Sequence, residues 1–250
     1  MVAKRLIACL DVRDGCVVKG VRFEGLANAG DPAALARRYN AEGIDELVIL
    51  DVTATLEKRR AIEETVRRVS AELFIPLAVG GGIHSEADAA AALDAGADKV
   101  ALNTAALENP ALLTRLAARY GSQAVVAAID AKHRDHHYEV FSRSGTTATG
   151  RDALTWAREA ADRGAGEILL TSIDRDGTRS GFECTLTAAV SAAVPIPVIA
   201  SGGAGTFEHF YEVFTEGRAD AALAASVFHF SEHAVSELKG YLRERGIVVR

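Results

Sequence analysis

The sequence predicts a (β/α)8 TIM barrel with an internal twofold half-barrel repeat, and three observations carry that expectation. Short apolar runs alternate with longer amphipathic stretches eight times along 250 residues, about the length such a fold requires. The runs are mostly continuous rather than alternating, as parallel strands covered on both faces should be. The chain also repeats itself once. Asp31 matches Asp152, Gly43 matches Gly164, Glu46 matches Glu167, and Gly81-Gly82 falls on Gly202-Gly203, all at an offset of 121. After Arg218, an extra residue, the offset becomes 122 and Thr104 pairs with Ser226. An open doubly wound sheet would need fewer units and a switch in strand order. The whole of 1–250 is therefore read as one barrel domain, with half-barrels of roughly 1–121 and 122–250.

The elements follow in order. A first strand at 6–10 ends in Asp11, and a helix at 32–42 opens on Asp31-Pro32, a cap followed by proline at the first helical position, and stops before Gly43. Strand 47–51 and helix 61–72 come next, then strand 77–79 and helix 86–95. Strand 99–102 leads to helix 110–119, where Asn109-Pro110 reads as a second cap and proline. The second half opens with strand 124–129, which ends in Asp130. Helix 153–163, strand 168–171, helix 185–193, strand 198–200, helix 207–216, strand 222–225 and helix 232–245 complete it. Two connections are longer than a barrel needs. Residues 12–30 contain Val17-Val-Lys-Gly-Val21, and 131–151 contain the strand-like alternation His137-Tyr-Glu-Val-Phe141. Both follow an aspartate on the face where barrel sites lie, and both are read as flexible lids.

Composition narrows the function. Net charge is −6 with no basic block, which excludes a nucleic-acid binder of the usual kind. Any anion must then be held by local amides and dipoles rather than a basic field. Three scattered cysteines (Cys9, Cys16, Cys184) without ligand spacing read as reduced thiols of a cytoplasmic protein. No apolar run is long enough to span a membrane, and no metal or organic cofactor is called for.

Three constellations carry chemistry. Gly80-Gly-Gly-Ile-His84 and Ser201-Gly-Gly-Ala-Gly205 each end a strand and open a helix, where glycine admits close approach and free N–H groups favour an anion. A single such turn is only a tight βα connection. Two at the same phase, followed by Asn103-Thr104 and Ala225-Ser226 on the next strands, point to two phosphate sites; Asp176-Gly177 is placed to complete the second. The second constellation is Asp11 and Asp130, at the ends of strands one and five, opposite each other across an eight-strand ring. Such a pair can divide acid and base roles if their environments separate their pKa values. Asp51 also follows a strand, but its counterpart is Ser172; Lys19 on the first long loop is placed to neutralise developing charge. The third is Arg5, Glu46, Lys99 and Glu167, at or before strand starts, where alternating charges can ring the barrel bottom as a gate. Any one of them alone would be a structural surface ion pair.

The motifs LIACLDVRDGCVVKG (6–20), GGGIH (80–84), LNTAA (102–106), GSQAVV (121–126), TSIDRDGT (171–178) and AASVFHF (224–230) closely resemble the cyclase subunits of imidazole glycerol phosphate synthase, from histidine biosynthesis. The resemblance runs nearly end to end. It implies a lyase that takes phosphoribulosyl formimino-AICAR ribonucleotide and ammonia to imidazole glycerol phosphate and AICAR ribonucleotide, a substrate with two phosphates. It implies that Asp11 and Asp130 are the acid/base pair, assisted by Lys19, Asn103, Thr171 and Ser201. Gly82, Asn103 and Thr104 would hold one phosphate, and Asp176, Gly177, Gly203, Ala225 and Ser226 the other. It also implies a glutaminase subunit docked on the barrel bottom, with Asp98 at a docking position and Arg5, Glu46, Lys99 and Glu167 as the ammonia gate. Without that partner a monomer is expected. The chain departs from the family's more polar first loop at Gly25 and Ala27. The sister isomerase of the same pathway shares two aspartates and two phosphate sites, but the ring of charges and the Ala-Cys-Leu-Asp-Val start look like the cyclase. A phosphosugar-binding barrel without activity is the reading from another class, and intact Asp11 and Asp130 argue against it.

Overall fold

Apolar runs that must be buried on both faces dictate the centre of this molecule. The computed structural model describes residues 2–21, 24–52, 59–229 and 234–250, with the side chains of residues 19–29, 59–61, 226 and 229 outside that description. Among the described residues, β1 (Arg5–Arg13), β4 (Glu46–Asp51), β5 (Leu77–Gly80), β6 (Lys99–Leu102), β7 (Val125–Arg134), β10 (Glu167–Ser172), β11 (Val198–Ser201) and β12 (Ala221–Ala224) pair in parallel, each with the next. The ring closes where β12 pairs with β1, Leu6 opposite Ala222. It is a closed eight-stranded barrel, as expected from the alternating pattern.

The two faces of the strands bury separate sets of side chains. Ile7, Cys9, Val48, Ala78, Ala101, Val126, Leu169, Ile199, Ala221 and Leu223 pack together within the ring. The residues between them, such as Leu6, Ala8, Leu47, Ile49, Ile168 and Leu170, join the larger core under the surrounding helices. That double burial is why no polar alternation marks these strands.

The helices are α1 (Pro32–Glu42), α2 (Arg59–Ser70), α3 (Glu86–Asp94), α4 (Thr104–Glu108), α5 (Ala111–Tyr120), α6 (Ala153–Asp162), α7 (Cys184–Ala193), α8 (Phe207–Thr215), α9 (Ser226–His229) and α10 (Val235–Glu244). The caps at Asp31 and Asp152 are alike: each carboxylate accepts from the amide three residues on, Ala34 N at 3.0 Å and Thr155 N at 2.9 Å. Such a cap stabilises a helix by about 1 kcal/mol. Gly43 follows α1 with φ 82°, the left-handed conformation that ends a helix. Asn109 does not cap as its sequence suggested. It ends the short α4, Pro110 precedes α5, and no side chain caps α5. A helix of five residues carries no periodicity to read, so the sequence merged its exit with the start of α5.

Both long connections form antiparallel ribbons. β1 runs on to pair with β2 (Cys16–Val21), which pairs with β3 (Glu24–Gly30). β7 runs on to pair with β8 (His137–Ser142), which pairs with β9 (Thr147–Asp152). The chain's two ends are also tied together. Lys239 on α10 reaches Asp45 (2.6 Å) and the Gly43 carbonyl (2.6 Å), while the other oxygen of Asp45 accepts from Leu6 N (2.8 Å). Among the described residues, no helix is long and apolar enough to cross a membrane.

Candidate active site

The period of two along a strand puts chemistry at both ends of the ring. On β1, Arg5, Ile7, Cys9 and Asp11 share one face; on β10 it is Glu167, Leu169 and Thr171. Each inward row thus runs from a charge at the strand start, through apolar residues, to a polar group at the C-terminal mouth. Register completes the arrangement, since Thr171 pairs with Asp130 on one side and with Ser201 on the other. Asp11, Asn103, Asp130, Thr171 and Ser201 all line one cavity of about 820 Å³ at that mouth.

Asp130 is strongly perturbed there. Its carboxyl is pushed up to about 6, first by desolvation deep in the barrel mouth and further by the charge of Asp176. The Asn103 amide opposes this by donating to Asp130 Oδ2 at 2.8 Å. The side chain's remaining exposure is to the cavity, so burial dominates. Asn103 also donates to the Phe141 carbonyl at 3.1 Å, and its own Oδ1 is buried with no hydrogen-bond partner. Asp11 stands across the ring, with the Cys9 thiol donating to its Oδ1 at 3.7 Å.

Two glycine loops frame the cavity. Gly81 and Gly82 have φ 81° and 65°, and Gly202 and Gly203 have φ 91° and 100°. A Cβ on Gly81 would strike the Asp51 carbonyl, and one on Gly203 the Gly181 carbonyl, so only glycine fits either position. A Cβ on Gly82 would meet nothing closer than 3.9 Å; its requirement is conformational, and the space before it is open cavity. Thr104, Asp176, Gly177 and Ala225 line the same cavity.

At the opposite end the charges close into a ring. Arg5 bridges Glu46 and Glu167, each at 2.8 Å, and Lys99 bridges the same two glutamates at 2.9 and 2.8 Å. Burial works against the Arg5 charge, but Glu167 and Glu46 outweigh it and hold the guanidinium above its ordinary range. Asp98 stays outside this ring, exposed, accepting from Leu77 N at 2.8 Å.

Comparison with known proteins identifies the family. The histidine biosynthesis protein family matches residues 5–234. Proteins named imidazole glycerol phosphate synthase subunit HisF are 58% identical over all 250 residues, from Acidobacterium capsulatum (99% of that chain) and from Pelodictyon phaeoclathratiforme and Chlorobium luteolum (the whole of each). The chain belongs to the HisF family of histidine biosynthesis. HisF proteins are cyclase subunits of that synthase, and they are lyases.

Of the HisF-type residues expected from sequence, the cavity gathers Asp11, Asp130, Gly82, Asn103, Thr104, Thr171, Asp176, Gly177, Ser201, Gly203 and Ala225. The side chains of Lys19 and Ser226 lie outside the described residues, though Lys19 falls on β2 and Ser226 opens α9. Cys9 and Arg143, to which the sequence assigned no role, also line the cavity, as does His84 of the first glycine loop. Cys9 was legible from its parity with Asp11, two residues on along the strand. Arg143 was not, because its position depends on where a hairpin turns.

Proposed function

We propose that this chain converts phosphoribulosyl formimino-AICAR ribonucleotide and ammonia to imidazole glycerol phosphate and AICAR ribonucleotide, with Asp11 and Asp130 as its acid/base pair. The observation that carries the reading is two carboxylates from strands on opposite sides of the ring, in one cavity with two glycine loops. Ammonia adds to the ketone carbonyl. Asp130, whose raised pKa strengthens its carboxylate as a base, takes a proton from the nitrogen, and Asp11 gives one to the departing hydroxyl, which leaves as water. The new nitrogen then closes onto the formimino carbon, whose bond to the aminoimidazole ribonucleotide breaks as Asp130 returns its proton to the departing amine. Asp11 takes the proton lost from carbon as the ring becomes aromatic, so both carboxyls are restored and the reaction balances with one water released per ammonia consumed.

Each phosphate has its own loops in this reading. Gly82, Asn103 and Thr104 hold one, and Asp176, Gly177, Gly203, Ala225 and Ser226 the other, while Lys19, Thr171 and Ser201 position the substrate between them. The far end of the barrel receives ammonia from a glutaminase subunit through the ring of Arg5, Glu46, Lys99 and Glu167. Val2, Phe74 and Val248, exposed by 83, 94 and 50%, all precede strands or end the chain on that face, and support docking there beside Asp98. The three free cysteines fit a cytoplasmic setting.

The test is turnover of the purified chain alone with and without ammonium salt. Imidazole glycerol phosphate formed only with ammonia is expected. Substrate that binds but stays unchanged at every ammonium concentration would contradict the proposal.

A further inference from the structure

Among the described residues that line the cavity, Arg143 is the one arginine or lysine. It sits at the turn between β8 and β9, a ribbon that leaves the barrel from β7. Two hydrogen bonds fasten that ribbon onto the loop after β6: Arg143 N donates to Thr104 Oγ1 at 2.9 Å, and Asn103 donates to the Phe141 carbonyl. Arg143 and Ser144 hold φ of 52° and 54°, a left-handed conformation uncommon outside glycine. The turn closes with Thr146 N donating to the Ser142 carbonyl at 3.2 Å, and both left-handed residues face the cavity. Because Thr104 Oγ1 already accepts from the turn, its own hydrogen is free to be donated into the cavity.

The guanidinium lies 3.9 Å from Glu108, with the two side chains 70 and 63% exposed. An exposed pair at that spacing holds little. A phosphate oxygen pair is a better match for the guanidinium fork, and charge-assisted bonds to it are stronger than neutral ones.

We propose that Arg143 is the cationic clamp of the phosphate subsite formed by Gly82, Asn103 and Thr104, leaving Glu108 for phosphate oxygens when that end of the substrate binds. The inference rests on the bisphosphate reading above and adds to it a side chain from a ribbon of the other half of the chain. It also gives an acidic protein a local cation at that phosphate in place of a basic field.

Arg143→Ala and Arg143→Lys test it against the unaltered chain, in turnover at saturating ammonium and in calorimetric titration with inorganic phosphate and each monophosphate product. For Arg143→Ala, KM is expected to rise on the order of tenfold while kcat stays within about twofold, and lysine should recover part of the loss. One product should weaken by a similar factor and the other should bind as before. An unchanged KM, or equal weakening of both products, would overturn the clamp. If the unaltered chain fails to turn over, the bisphosphate reading fails by itself. Phosphate titration still decides Arg143 in that case: one of two phosphate-binding events weakened in Arg143→Ala supports it, and identical isotherms overturn it.

Discussion

Asp130 has its proton affinity set by three neighbours, and each can be changed separately. Desolvation and Asp176 raise it, and Asn103 lowers it. As the base, Asp130 should give kcat/KM, measured at constant free ammonia, a limb that rises through a pH near 6. Asn103→Ala removes the bond that favours the carboxylate and should move that limb to higher pH; Asp176→Asn should move it lower. A limb that stays in place in both variants would detach it from Asp130. The same shift is a statement about stability. The folded protein binds this proton more tightly than the unfolded chain, so ionising Asp130 costs stability as pH rises from about 4 to about 6 and costs nothing below about 4. Asp130→Asn should therefore stabilise the free protein by up to about 3 kcal/mol at pH 7.5 and by nothing near pH 3.5, read from urea unfolding. Sequence made Asp11 and Asp130 visible because each ends an apolar run. It could not show that Asp130 is perturbed, because desolvation and the Asn103 bond exist only once β6, β7 and the β8–β9 ribbon meet.

At the scale of elements, the most buried ion pair outside the ring of Arg5, Glu46, Lys99 and Glu167, among the described residues, is that of Lys239 and Asp45, 8 and 7% exposed. It joins α10 to the start of β4, and through Leu6 N to β1. Lys239→Met leaves the Asp45 carboxylate buried without its cation and should cost about 3–5 kcal/mol in denaturant unfolding, with the folded state's circular dichroism unchanged. A loss under 1 kcal/mol would mean that solvent reaches the site. The strands and long helices were legible because each carries a continuous apolar run or a 3.6-residue stripe. β3 and β9 were not: Glu24–Gly30 and Thr147–Asp152 carry no apolar face, and their partners in the ribbon decide their conformation. The short α4 and α9 are about one turn each, below what periodicity can reveal. Asn109 misled for that reason.

At the scale of the whole molecule, every inward row that begins with a charge at one end finishes at the mouth that holds Asp11 and Asp130. The account places ammonia delivery and cyclisation at these opposite ends, so they should separate by mutation. Phe74→Glu, on the face away from the cavity, should weaken the glutaminase complex on the order of tenfold while ammonium-dependent turnover stays unchanged. Equal loss of both would mean that the two ends are not independent. The sequence repeat at an offset of 121 anticipated two glycine loops and two aspartates, and the cavity holds all four together. What it could not supply was Arg143, whose reach across to Thr104 is a tertiary contact. The most direct measurement is product formation by Asp130→Asn at saturating ammonium, alongside its affinity for the bisphosphate substrate. The account expects imidazole glycerol phosphate to fall by at least a thousandfold, on the order of the loss of a general base, with substrate still bound. Turnover near that of the unaltered chain would contradict it.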